Sequence, residues 1–104
     1  MKLPRIVYAI QHNVTKKYYI GSSSNVRTRF QHHLACLRRG THPVEDMQQD
    51  FDIYGDDLTL YELEEITNFG ERKKEYEWMA KYKSNIRGEG YNYKDHIAPH
   101  YCKK

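Results

Sequence analysis

Ile6-Val7-Tyr8-Ala9-Ile10, then the polar Gln11-His12-Asn13-Val14-Thr15, then Lys17-Tyr18-Tyr19-Ile20-Gly21, is the stretch on which the fold turns. The first run is short, β-branched and aromatic, so it reads as a strand. The polar segment reads as a turn. The second run reads as another strand that ends at Gly21. Two strands with a short polar connection predict an antiparallel hairpin. Alternation puts Ile6, Tyr8 and Ile10 on one face of the first strand, and Tyr19 and Gly21 on one face of the second.

Downstream, Ser22-Ser23-Ser24-Asn25 offers several helix N-caps. The helix that follows runs to about Arg39, with Gly40 as its terminator. Val26, Phe30, Leu34 and Leu37 make its apolar stripe. Arg29 and His33 lie together at one edge of the stripe, one turn apart, where side chains line a cleft. Thr41-His42-Pro43 opens a second helix, with Pro43 in its first turn. Met47, Phe51 and Tyr54 are its buried side, and Gly55 ends it. Leu58 to Glu65 predicts a third strand, and Glu71 to about Lys83 a third helix. An irregular tail carries Gly88, Gly90 and Tyr91-Asn92-Tyr93.

A chain of 104 residues makes one domain, because two would each be too small to hold a core. Ten Tyr, three Met and one Trp add apolar area, so the chain is expected to fold. No apolar run approaches the length of a membrane span, and the N-terminus has no apolar stretch of signal-peptide length. Without export, the two Cys are expected as reduced thiols in a cytoplasmic protein. His and Cys are too irregularly spaced for a zinc site.

The net charge of +3 hides an asymmetry. Residues 1–44 carry eight Lys and Arg and no acid, whereas residues 45–104 carry nine against fourteen acids. An acid-free stretch of that length suits a polyanion. A second anomaly lies in the third helix. Glu71, Glu75, Trp78, Met79 and Tyr82 share one face, with Glu75 at its centre. An ionised carboxylate on a core-facing stripe is costly unless paired or bound to metal. Helix geometry leaves three readings open: a solvated face, a pair with an Arg such as Arg29, or a hard divalent cation.

Taken together these residues resemble the GIY-YIG nuclease superfamily. Ile6-Val7-Tyr8 and Tyr19-Ile20-Gly21 stand where its two name-giving tripeptides stand. The first departs from the pattern, with Ile for Gly and Val for Ile, but keeps the tyrosine. Arg29 and His33, Gly40-Thr41-His42, Met47-Gln48, Phe51, Glu75-Tyr76-Glu77-Trp78 and Gly90-Tyr91-Asn92 continue the pattern in order. The resemblance covers residues 6–95 and leaves 96–104 as a short basic tail. Within the superfamily it looks most like the catalytic domain of phage and intron homing endonucleases.

The resemblance implies an α+β fold, a small three-stranded antiparallel sheet flanked by about three helices. It implies a DNA endonuclease that hydrolyses phosphodiester bonds with one Mg²⁺ or Mn²⁺ per site. Glu75 is then the metal ligand and Tyr8 the general base, with Tyr19 beside it. Arg29 holds a phosphate oxygen, His33 and His42 position water or the leaving group, and Asn92 is a structural or metal-shell hydrogen bonder. Gly21 is the structural glycine of its motif. Lys16, Lys17, Arg27, Arg38 and Arg39 are the expected DNA contacts. A free tyrosine has a pKa of about 10, so Tyr8 needs nearby positive charge, from Arg29, a Lys or the metal-bound water network. The competing readings on the same fold are a non-catalytic nucleic-acid-binding module and a protein-interaction domain. A phage or mobile element in a bacterial host cell is the implied source, and a homodimer is one route to DNA specificity.

Overall fold

The computed structural model describes residues 4–66, 71–86 and 89–92. Strand β1 (Arg5–His12) pairs antiparallel with β2 (Tyr18–Ser23) on one side and β3 (Leu58–Ile66) on the other. The sheet order is β2-β1-β3, as expected of a small antiparallel sheet. Helices α1 (Val26–Arg39) and α2 (Glu45–Tyr54) follow β2, and α3 (Glu71–Tyr82) follows β3.

β1 is central and apolar on both faces, so both must be covered. Tyr8 and Ile10 join Tyr19, Val26, Leu37, Val44, Met47 and Tyr91 in one core, on the α1 and α2 side. Val7 and Ala9 join Ile20, Ile66 and Met79 in the second, beneath α3. A continuous buried run in β1 is the sequence form of a strand covered twice. Trp78 and Tyr82 pack against the second core, so the α3 stripe does face the sheet. The side chain of Glu71 lies outside the described residues, as do Gly88, Tyr93 and the basic tail 96–104.

Three local expectations change. β2 does not end at Gly21 but continues through Ser22 and Ser23, which pair with Val7 and Ile6. Of the serines and Asn25, it is Asn25 that caps α1, accepting from the Thr28 N–H at 3.1 Å. The second helix starts at Glu45, with Pro43 ahead of it. The His42–Val44 segment is instead held as a turn, because the His42 N–H donates to Gln48 Oε1 and the Val44 N–H donates to His42 Nδ1. Tyr54 is exposed, its ring edge against His12 at 6.0 Å. The last turn of α2 has left the core by that point.

Gly40 ends α1 in the left-handed region at φ 75°, as its position predicts. Cys36 is disulfide-bonded and not the reduced thiol expected of it. Cys102 lies outside the described residues. Among the described residues, no helix is long and apolar enough to cross a membrane.

Candidate active site

The register of β1 and β2 puts Tyr8 opposite Gly21. Neighbouring side chains on this face point toward α1, so Tyr8 and Tyr19 meet with ring centroids 6.3 Å apart. A Cβ at residue 21 would lie 2.7 Å from Tyr8 Oη and 2.8 Å from its Cζ. The glycine is therefore a seat for the phenol and not a strand terminator.

His33 comes from the edge of the α1 stripe and is 2% exposed. Its Nε2 lies 2.9 Å from Tyr8 Oη, and its Nδ1 lies 2.8 Å from His42 Nε2. The direction of this chain follows from its far end. The Val44 backbone N–H can only donate, and it donates to His42 Nδ1 at 3.1 Å. His42 must then carry its proton on Nε2 and donate to His33 Nδ1. His33 in turn carries its proton on Nε2 and donates to the Tyr8 oxygen. The phenol proton is left to point elsewhere. Gln48 secures the start of the chain, since its Oε1 accepts from the His42 N–H at 3.0 Å while its Nε2 donates to Leu37 O at 2.9 Å.

Glu75 reaches the same end of the sheet from α3. Ser22 Oγ donates to Glu75 Oε2 at 2.5 Å, in the range of a short charge-assisted bond. Ser22 is also held by Arg5, whose Nη2 donates to Ser22 O at 2.9 Å and approaches Ser22 Oγ at 3.4 Å. Burial pushes the Tyr8 phenol well above the ordinary tyrosine range; Arg29 pulls it down, Glu75 pushes it up and Arg5 pulls it down. Tyr19 is pushed up by burial, by Tyr8 and by Glu75, against Arg29. The Arg29 and Glu75 charges thus both reach Tyr8 and Tyr19.

The positive charge that favours a Tyr8 phenolate comes from Arg29 and Arg5, not from Lys16 or Lys17. The two lysines sit at the hairpin turn, about 13 Å along the strand from Gly21 by strand rise. Lys17 faces Asp50 at 3.8 Å and the Tyr91 ring at 5.9 Å. Arg27 is exposed in the first turn of α1, beside Arg29, and Arg38 and Arg39 are exposed in its last turn.

Asn92 is committed to the backbone of β2. Its Oδ1 accepts from the Ile20 N–H at 2.8 Å and its Nδ2 donates to Ile20 O at 3.1 Å. Tyr91 N–H adds a bond to Tyr18 O. Residues 91–92 therefore act as a partner for the outer edge of β2, under Tyr19. These are bonds of the structural kind, one of the two roles expected for Asn92.

Arg5 and Ser22 are the site residues that motif reading passes over. Arg5 shares the parity of Val7 and Ala9, so its place on the Glu75 side of the sheet was available from alternation. Among the described residues, no group of three or more His, Cys, Asp or Glu is placed to hold a metal ion. Among the described residues the donor is the half-buried carboxylate of Glu75, which fits a hydrated Mg²⁺ that takes one or two carboxylates and keeps its waters.

A central β1 carrying Tyr8, a β2 carrying Tyr19 and Gly21, and a carboxylate on the helix after β3 define a GIY-YIG catalytic domain. The chain belongs to that family, whose model matches residues 4–92. It is 29% identical over 91 residues to intron-associated endonuclease 1 of Enterobacteria phage T4. That match takes in 86% of this chain and 36% of the phage protein, so the chain spans about a third of the length of that relative. The E75A mutant of the catalytic domain of intron endonuclease I-TevI superposes with a TM-score of 0.81 at 26% identity, covering 92% of this chain and 99% of that one. A second structure of the catalytic domain of homing endonuclease I-TevI gives 0.75 at 25% identity, covering 91% and 99%. The sequence expectation of this family, and of its homing-endonuclease branch in particular, is met.

Proposed function

We propose that this domain is a metal-dependent DNA endonuclease that hydrolyses phosphodiester bonds. The observation that carries the reading is the joining of Tyr8, Tyr19, Arg29 and Glu75 at one end of the sheet, in a chain of the GIY-YIG family. A binding module needs none of this. A buried phenol is a poor phosphate ligand, and an acid whose charge reaches it repels DNA.

Glu75 would hold the ion, Mg²⁺ or Mn²⁺, one per site. When bound, the ion supplies Lewis-acid stabilisation of the leaving oxygen. Arg29 binds a phosphate oxygen, where a permanent charge and a planar fork suit the charge that develops. With its own proton first lost to solvent, Tyr8 as phenolate takes the proton of the attacking water as general base. Burial and Glu75 hold its phenol protonated, so Tyr8 ionises more readily when the Glu75 charge is offset. His33 stabilises the phenolate by donating to its oxygen, and His42 fixes the His33 tautomer. On this reading both histidines act through Tyr8. Arg27, Arg38 and Arg39 lie along one helix and meet the DNA backbone; Lys16 and Lys17 extend that contact from the hairpin. A bacterial or phage-infected cytoplasm supplies the DNA.

Incubation of the purified protein with supercoiled plasmid, with and without Mg²⁺, tests the reading. Nicking that needs the metal and vanishes in Glu75→Ala, with DNA affinity largely kept, is the expected result. Nicking that persists without metal in that variant rejects the assignment. Absence of nicking with DNA binding that weakens steeply with salt would favour the binding module. No salt-dependent binding at all would favour a protein-interaction domain.

A further inference from the structure

Glu75 has to meet the site from α3, across the face of the sheet opposite the Tyr8 phenol. A glutamate on a helix has three rotatable side-chain bonds, so its carboxylate needs an external hold to keep one direction. One such hold is Ser22, whose hydroxyl donates to Oε2 at 2.5 Å. Ser22 is 7% exposed and sits in the ladder opposite Val7. Its carbonyl and hydroxyl oxygens are both met by the Arg5 guanidinium, at 2.9 and 3.4 Å. With the second lone pair of Ser22 Oγ turned to Arg5, the hydroxyl proton is directed at Glu75. The Arg5 charge also reaches Tyr8, as that of Arg29 does.

We propose that Arg5 and Ser22 are positioning residues of the active site, a guanidinium–hydroxyl–carboxylate chain that sets the direction of the Glu75 carboxylate. The proposal rests on the endonuclease reading. It makes the β1 residue three places before the catalytic tyrosine part of the machinery. The hydroxyl is the critical link. Ala at residue 22 removes it with little change of volume, while Thr keeps it and suits a strand.

The test compares wild type, Ser22→Ala, Ser22→Thr, Arg5→Ala and Arg5→Lys, each shown by circular dichroism to melt cooperatively. Four readouts are taken: plasmid nicking against Mg²⁺ concentration, DNA affinity in EDTA, Mn²⁺ affinity by calorimetry without DNA, and KM against kcat. Loss of one hydrogen bond to a charged group is worth about tenfold or more. Ser22→Ala is therefore expected to nick about tenfold more slowly and to bind Mn²⁺ about fivefold or more weakly. Its loss falls on kcat, and its DNA affinity in EDTA stays within about twofold of wild type. Ser22→Thr restores most of the loss, and Arg5→Ala loses function in the same direction, with Arg5→Lys intermediate. Wild-type nicking and Mn²⁺ affinity in Ser22→Ala overturns the proposal. So does a Ser22→Thr as defective as Ser22→Ala, because packing and not the hydroxyl would then be at stake. A wild type that binds Mn²⁺ but nicks no DNA removes the endonuclease reading, and the Mn²⁺ shift still decides the role of Ser22. A wild type that binds no Mn²⁺ overturns both.

Discussion

The phenol of Tyr8 rests on the α-carbon of Gly21, so closely that a methyl group there would stand 2.7 Å from Tyr8 Oη. Tyr8 is 1% exposed and cannot swing outward. Gly21→Ala must therefore move the ring and strain its 2.9 Å contact with His33. Overpacking of this kind costs about 1–3 kcal/mol, and nicking is expected to fall about a hundredfold. In a Tyr8→Phe background the nearest clashing atom is gone. The stability cost of Gly21→Ala should then shrink, which a double-mutant cycle of denaturant melts measures. Equal costs in both backgrounds would show that Tyr8 is not what excludes the methyl.

Asn92 closes the free edge of β2 by bonding both polar groups of the Ile20 peptide. Ile20 is 1% exposed, so no water replaces a lost partner. Asn92→Ala orphans a buried donor and a buried acceptor, at about 1–3 kcal/mol each. For a domain of this size 1 kcal/mol is worth about 4–8 °C, so the melting temperature should drop by about 10 °C or more. A metal-shell role predicts a different pattern, with little thermal change and weaker Mn²⁺ binding. Thermal melts and calorimetry on one sample separate the two.

The hairpin, the α1 stripe and the Gly40 stop were legible because each is local: alternation and helical spacing name a face, and a left-handed stop calls for glycine. The convergence of Tyr8, Tyr19, Arg29 and Glu75 was legible through the family pattern. What spacing does not name is the partner across the sheet. Gly21 read as a terminator because its conflict is with Tyr8, thirteen residues earlier. Pro43 read as the first turn of a helix because the bond from Gln48 back to His42, which holds the turn open, is a side-chain choice. Spacing does not single out Arg5, because its use depends on Ser22 and Glu75, which lie on two other elements. The state of Tyr8 was illegible for a similar reason: burial outweighs the two guanidinium charges, and burial is a property of the packed core.

Burial raises the pKa of both Tyr8 and Tyr19 above that of an unfolded tyrosine. Above pH of about 10 the unfolded chain therefore loses these protons while the folded chain keeps them. The unfolded state then binds fewer protons, and stability falls as pH rises. It is fully present below that pH and declines above it, by up to about 1.4 kcal/mol per pH unit for each phenol. Urea melts between pH 8 and 11 should show a flat region and then a fall, and Tyr8→Phe should reduce the slope. A stability that stays level to pH 11 would mean that the phenols are not held neutral.

His42 is 6% exposed, behind His33 as seen from Tyr8, so a DNA backbone does not reach it. On the proposed reading its influence on the reaction passes through the tautomer of His33. With His42 in place, His33 is obliged to donate to the Tyr8 oxygen, which favours the phenolate. Without it, His33 can place its proton on Nδ1 and accept from Tyr8, which favours the neutral phenol. His42→Ala is thus expected to slow nicking about 10- to 100-fold, or about 1.4–2.7 kcal/mol of barrier, with DNA affinity in EDTA unchanged. The pH-rate profile discriminates further. A weakened phenolate should shift the rising limb to higher pH in His42→Ala, whereas simple loss of packing would lower the rate at every pH alike. His42→Gln can donate through its amide nitrogen and should recover part of the rate. If it recovers none while stability is kept, the tautomer account of His42 fails.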